Sequence, residues 1–112
     1  MVGLWHVHAY GPAEALLRLR DGIRRLNDSH GTINSATSGY HETVTAAYVR
    51  LLEQVLAAAD GDLVRGYAAV FTSAVVDRNV LLRFYSRDLL MSETARREWV
   101  EPDLAPLSIH LP

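Results

Sequence analysis

The chain has 112 residues, of which 49% are hydrophobic and 21% are charged. This is the composition of one globular domain and excludes a wholly disordered chain. A formal net charge of −2 argues against nucleic acid as the main partner, because phosphate binding needs a basic surface. The lack of cysteine excludes disulfides, thiolate metal sites and cysteine nucleophiles.

No apolar run approaches the roughly 18 residues that a membrane-spanning helix needs, so no membrane association is expected. The first residues also lack the basic region and long apolar stretch of a signal peptide, which makes the cytoplasm the expected location. The sequence contains no P-loop, no Rossmann glycine pattern and no nucleophile elbow. The sequence therefore offers no motif that assigns it to a class of enzyme.

In chain order, the first element is a short apolar segment at 1–10 that ends at Gly11-Pro12. Nothing in it resembles an N-cap, so we interpret it as the end of a truncated first helix. Pro12 suits the first turn of the next helix, which we expect Gly31 to end in the left-handed conformation. The apolar stripe of this second helix, with spacings of three and four residues, consists of Leu16, Leu19, Ile23 and Leu26.

Small polar residues at 32–39 predict a loop, in which Thr37 or Ser38 is available to cap the next helix. That central helix is predicted over residues 40–59, and a shorter helix over about 63–71 follows an Asp-Gly-Asp turn. The side of the central helix that is predicted to face the interior consists of His41, Val44, Tyr48, Leu51 and Val55.

A fourth helix is predicted over about 75–85. Its inward-facing residues are expected to be Val76, Val80 and Phe84. Ser92 followed by Glu93 indicates the start of one last short helix, which is expected to carry Trp99.

The residues at 101–112 form an extended tail, because their prolines prevent a continuous helix. The leucines of this tail predict that it lies across a neighbouring surface. Together the elements predict an all-α fold in a single domain over 1–112, a small bundle of four to five helices with an irregular C-terminal tail.

The start of the central helix carries the main candidate site. His41 follows the register of the apolar side, Glu42 lies about 100° round the helix, and Thr45 lies one turn below His41. An imidazole beside a carboxylate can act as a general base, or as a ligand of zinc, iron or manganese. The predicted ligand-binding residues are Tyr40, His41, Glu42 and Thr45, and the predicted metal ligands are His41, Glu42 and His30.

A simpler interpretation of the same residues is structural. Glu42 would favour the positive end of the helix, and His41 would form a hydrogen bond with the preceding loop. His30 would suit the C-terminal end of its own helix as a cation. The Arg24-Arg25 and Arg96-Arg97 pairs are expected on solvated faces.

Three segments resemble a group of small helical bacterial proteins that have no established function. These segments are Ser38-Gly39-Tyr40-His41-Glu42-Thr43, Phe84-Tyr85-Ser86-Arg87, and the run from Ala95 to Leu104 that contains A-R-x-x-W-V-x-P-D-L. The resemblance implies a preceding helical turn with a T-H-x-x-H pattern, whose histidines join His41 in a metal or polar site. This sequence has no such pattern, and His6 and His8 do not reproduce its spacing.

Two functions are compatible with these features. The first is a ligand- or metal-binding helical protein, with or without catalysis, that uses a polar site at the start of the 40–59 helix. The second is a non-catalytic module that acts through homodimerisation or another protein association, because an incomplete first helix and leucine-rich ends would expose apolar surface. DNA binding through a helix-turn-helix is disfavoured by the near-neutral charge.

Overall fold

The computed structural model describes residues 2–31, 39–72 and 79–108, and in these ranges the protein is all-α, as predicted. Its helices are α1 (Val2–Ser29), α2 (Glu42–Ala58), α3 (Leu63–Thr72), a 3₁₀ helix (Val80–Arg83), α4 (Arg87–Leu90) and α5 (Glu93–Arg97). In the described ranges, no helix combines the length and apolar character that a membrane span requires.

Helix α1 contains a sharp break at Gly11, whose φ of 78° and ψ of 167° are not helical. Glycine takes this positive φ without steric strain, and Pro12 beside it supplies no backbone N–H. The predicted division at Gly11-Pro12 is therefore confirmed, although the two helical parts follow each other without a loop. Gly31, with a φ of 72°, ends the helix in the left-handed conformation, also as predicted.

Helix α2 is the central element and packs against α1, α3 and α5. Its Leu51 and Val55 are fully buried, as the apolar pattern predicts, while Val44 and Tyr48 are half-buried at the edge of the core. Helix α3 comes close to α1 and α2 at Gly66. A Cβ at that position would lie 3.1 Å from Leu56 Cδ2, so this approach depends on the missing side chain.

The predicted helix over 75–85 is wrong in its described part. Residues 80–83 form a 3₁₀ helix, and Ser86 then adopts extended φ and ψ values and caps α4, so no α-helix runs through this region. Val80 and Phe84 are buried, which confirms their predicted orientation. Val76 lies outside the described residues.

The last helix begins as predicted, with the Ser92 side chain accepting a hydrogen bond from Ala95 N. The prediction that it carries Trp99 is wrong, because α5 ends at Arg97. Glu98 is extended, and its carbonyl accepts a hydrogen bond from the fully buried Thr43 hydroxyl at 2.8 Å. This hydrogen bond attaches residue 98 to α2.

The described part of the tail lies against the domain, as predicted. Leu104 N donates to the Phe84 carbonyl at 2.9 Å, and the Gln54 side chain donates to the Leu107 carbonyl at 3.0 Å. The Leu107 side chain packs on the core, whereas that of Leu104 is 59% exposed. The tail is thus attached through backbone carbonyls and through the Asp103 carboxylate, which accepts hydrogen bonds from Ser86 N at 2.7 Å and from the Ser86 hydroxyl at 2.6 Å.

Candidate functional site

His41 is the N-cap of α2 and not its second residue, which corrects the predicted helix start and the predicted cap at Thr37 or Ser38. Those two residues lie outside the described ranges. His41 Nδ1 accepts a hydrogen bond from Val44 N at 3.1 Å, and Nε2 lies 2.6 Å from the Leu90 carbonyl. Because Nδ1 accepts and a carbonyl cannot donate, the ring is neutral with its proton on Nε2.

The His41 ring is half-buried between the start of α2 and the end of α4. Burial lowers its pKa, and the positive charge of Arg96 lowers it further, while the bond to the Leu90 carbonyl acts in the opposite direction. Both ring nitrogens are engaged in fixing the backbone. In this arrangement the ring offers no lone pair to a metal ion or to a substrate proton.

Glu42 forms a bidentate ion pair with Arg20 of α1, with N–O distances of 2.9 and 2.7 Å. The Tyr40 hydroxyl donates to the same carboxylate at 2.7 Å. Burial opposes ionisation of Glu42, but the bonds from Arg20 and Tyr40 and the charges of Arg20 and Arg24 outweigh it, so its pKa is below the ordinary value. Burial and the bond to Glu42 raise the pKa of Tyr40.

The structure unites only part of the predicted site. Tyr40 and Glu42 are in direct contact, and the Thr45 hydroxyl donates to the His41 carbonyl at 3.0 Å. His30, in contrast, is exposed beyond the end of α1. Across residues 2–31, 39–72 and 79–108, no three His, Cys, Asp or Glu side chains gather as metal ligands, so the predicted set of His41, Glu42 and His30 does not form a cluster there.

The donor chemistry of this region also does not fit a divalent metal. The carboxylate oxygens of Glu42 are engaged by Arg20 and Tyr40, and both nitrogens of His41 are engaged by the backbone. A metal ion would have to displace these partners before it gained two protein ligands. The residues therefore act as a structural connection between α1, α2 and α4.

Two arginines that the sequence did not assign to the site, Arg20 and Arg96, belong to the hydrogen-bond network around Tyr40, His41 and Glu42. Arg20 is a charged residue four positions after Leu16, in phase with the apolar stripe, and that mismatch was the signal that it meets a buried partner. Arg96 was placed on a solvated face, which is wrong, because its guanidinium donates to the Gly39 carbonyl at 3.0 Å. That bond connects α5 to the segment before α2.

A cleft of about 210 Å³ lies beside this network, between the first two turns of α2 and the α4 region. We call it the α2–α4 cleft. Most of the side chains that line it are apolar, and its polar side chains are Tyr48, Asn79 and Arg87. The apolar lining consists of Val44, Leu81, Leu82, Leu90 and Met91. Met91 is 54% exposed, so the cleft opens to solvent.

Arg87, at the first position of α4, is exposed. Arg87 forms no ion pair with another residue in the described part of the chain. Leu90 lines the cleft, and its backbone carbonyl accepts the hydrogen bond from His41. An apolar cleft with one uncompensated cation is thus joined directly to the network at the start of α2.

Comparison of the chain with known proteins gave no match to a protein-family model, to a curated protein or to a solved structure. The resemblance to small helical bacterial proteins therefore stays a prediction that is based on three sequence segments.

Proposed function

We propose that the protein binds a small apolar carboxylate in the α2–α4 cleft and that it does so without catalysis. The observation that carries the proposal is the pairing of an apolar, open cleft with an arginine that has no acidic partner among the described residues. This keeps the predicted ligand site at the start of the central helix but moves it to the cleft beside the four predicted residues, Tyr40, His41, Glu42 and Thr45.

The shape and lining of the cleft support a small amphipathic ligand. Binding sites for small molecules are usually concave and mostly apolar, with a few polar groups that orient the ligand. A volume of about 210 Å³ equals the liquid volume of roughly seven water molecules. It accommodates a short alkyl chain or one aromatic ring, and the chain would cover the exposed Met91.

Arg87 supports a carboxylate as the polar group of the ligand. A guanidinium presents a planar fork of donors that matches a carboxylate, and the charge-assisted bonds are about twice as strong as neutral ones. The charge of Arg87 also favours an anion over a neutral ligand of the same shape.

The engaged state of His41 and Glu42 supports binding over catalysis. A general base needs a free lone pair within hydrogen-bond reach of the proton that it removes. Here the imidazole caps α2 and the carboxylate pairs with Arg20. The two residues instead hold the wall of the cleft in position, since His41 anchors the Leu90 backbone.

Binding is tested with hexanoate as the probe and hexanamide as its neutral counterpart. Titration is followed by the NMR signal of the Met91 methyl group, one of only two methionine methyl groups in the chain. We expect a saturable shift with hexanoate and a dissociation constant roughly tenfold higher for hexanamide, because only the carboxylate gains the charge-assisted bonds. Arg87→Gln is expected to abolish the difference.

Arg25→Gln is the matched control, because it removes the same charge at an exposed position of α1 outside the cleft. It should leave the preference for hexanoate unchanged. Equal affinity for hexanoate and hexanamide, or the absence of a saturable shift at Met91, would contradict the proposal.

A second candidate function, self-association, is favoured by a group of rings at the start of α1. We call Trp5, His6 and Tyr10 the aromatic patch. Trp5 lies 5.3 Å from the His6 ring and 5.6 Å from the Tyr10 ring, measured between centroids. Trp5 is 44% exposed and Tyr10 37% exposed. Exposed aromatic clusters are typical of association surfaces, and a second copy would cover this one.

Trp5→Ser is expected to convert a homodimer into a monomer, measured by sedimentation equilibrium at tens of micromolar. Leu26→Ser is the control, because Leu26 is 57% exposed but lies outside the aromatic patch. It should leave the mass unchanged. A monomeric mass for the unsubstituted protein at these concentrations would exclude this second function.

A further inference from the structure

A second concave surface lies between α2 and the tail, and it shares no lining residue with the α2–α4 cleft. We call it the tail groove. Its volume is about 370 Å³, and the groups that matter here are Arg50 and Glu53 of α2 together with Trp99 and Glu101. The bond from Gln54 to the Leu107 carbonyl attaches the tail to α2 and keeps the groove formed.

Trp99 is held firmly in this groove. Its Nε1 donates to the Glu101 carboxylate at 2.9 Å, and its ring meets Tyr85 edge-on with centroids 6.4 Å apart. The Arg50 guanidinium carbon lies 3.9 Å from the Trp99 ring centroid. The ring therefore already holds a guanidinium against its face, which is the arrangement of a cation–π site.

The charge of the tail groove is negative. Arg50 contributes one positive charge, whereas Glu53 and Glu101 contribute two negative charges, and all three side chains are exposed. No ion pair within the described residues joins Arg50 to either carboxylate. Burial raises the pKa of Tyr85 to about 12, the charge of Glu101 adds to this rise, and the charge of Arg50 acts against it.

We propose that the tail groove binds a small organic cation, of the guanidinium or alkylammonium class, which replaces Arg50 on the Trp99 ring and pairs with Glu53 and Glu101. Arg50 leaves at little cost, because its side chain is exposed and has no carboxylate partner to give up. The incoming cation gains the ring face and a net negative groove. Arg50 thus acts as a weak internal competitor that lowers the affinity for the incoming cation.

The test uses propylguanidinium as the probe and propylurea as a neutral molecule of nearly the same shape. Trp5→Phe leaves Trp99 as the only tryptophan, so its fluorescence reports on the groove alone. In this background we expect a saturable change with propylguanidinium and roughly tenfold weaker binding of propylurea. Arg50→Gln is expected to tighten cation binding about threefold or more, because it frees the ring and removes one positive charge.

Glu53→Gln in the same background is expected to weaken cation binding about threefold or more, and Glu14→Gln, a change of the same charge on exposed α1, should have no effect. Equal binding of the cation and the urea overturns the proposal, as does an unchanged affinity in both Arg50→Gln and Glu53→Gln. Circular dichroism of each variant confirms that the helical fold is retained, which is expected since these side chains are exposed.

Discussion

Glu42→Ala is expected to lower the free energy of unfolding by about 2–3 kcal/mol, the largest effect of any single substitution in the network at the start of α2. The side chains of Arg20 and Glu42 are only 27% and 13% exposed, so water replaces the lost carboxylate poorly. Both the Arg20 guanidinium and the Tyr40 hydroxyl then lose their hydrogen bonds to this carboxylate. Urea denaturation followed by far-ultraviolet circular dichroism measures this change.

Glu14→Ala is the matched control for this prediction. Glu14 also pairs with an arginine of α1, but the side chains of Arg18 and Glu14 are 50% and 47% exposed, so this loss should be about 0.5 kcal/mol or less. The double variant Arg20→Met with Glu42→Leu is expected to recover much of the lost stability, because no unpaired charge remains. If Glu42→Ala cost no more than Glu14→Ala, the pair would have no structural role.

His41→Ala is expected to lower the free energy of unfolding by about 1–2 kcal/mol at neutral to alkaline pH. The substitution removes the cap of α2 and the bond to the Leu90 carbonyl together. His41→Asn should retain most of the stability, because asparagine is itself a favoured N-cap. A loss as large for asparagine as for alanine would show that the Leu90 bond is the more important of the two.

The same residue should make stability depend on pH. The folded chain has a His41 pKa below the ordinary 6.5, chiefly because of burial, so the unfolded chain takes up the proton first as the pH falls. The contribution of His41 is therefore complete above pH 6.5 and declines as the pH drops through the folded pKa. Arg96, whose charge faces the ring, strengthens this effect.

Urea denaturation at about pH 8 and about pH 5 tests this dependence. The unsubstituted protein should lose more stability between the two values than His41→Asn does, since asparagine does not titrate. His30→Asn is the control, because His30 is exposed, and it should behave like the unsubstituted protein. Glu42 contributes little to this difference, because its pKa in the folded chain is below the ordinary 4.5 and its carboxylate stays ionised at both pH values. An identical pH dependence in His41→Asn and the unsubstituted protein would refute this role.

Local sequence determined the break in α1, the end of α1 and the start of α5. Gly11 and Gly31 take positive φ values that other residues avoid, and Ser92 satisfies a free N–H only three residues away. The spacing that buries Leu51 and Val55 also repeats within one turn. Such signals depend only on residues that are close in sequence, so they can be recognised without knowledge of the tertiary structure.

Tertiary structure alone decided what the candidate site does. Glu42 meets Arg20 across 22 positions of sequence, and His41 meets the Leu90 carbonyl across 49. Trp99 follows Glu98, whose carbonyl accepts a hydrogen bond from Thr43 of α2 across 55 positions. The types of these residues permit a metal site, a catalytic pair or a structural connection equally well. The choice among them depends on which donors and acceptors the packed helices bring within about 3 Å, and no local pattern encodes that distance.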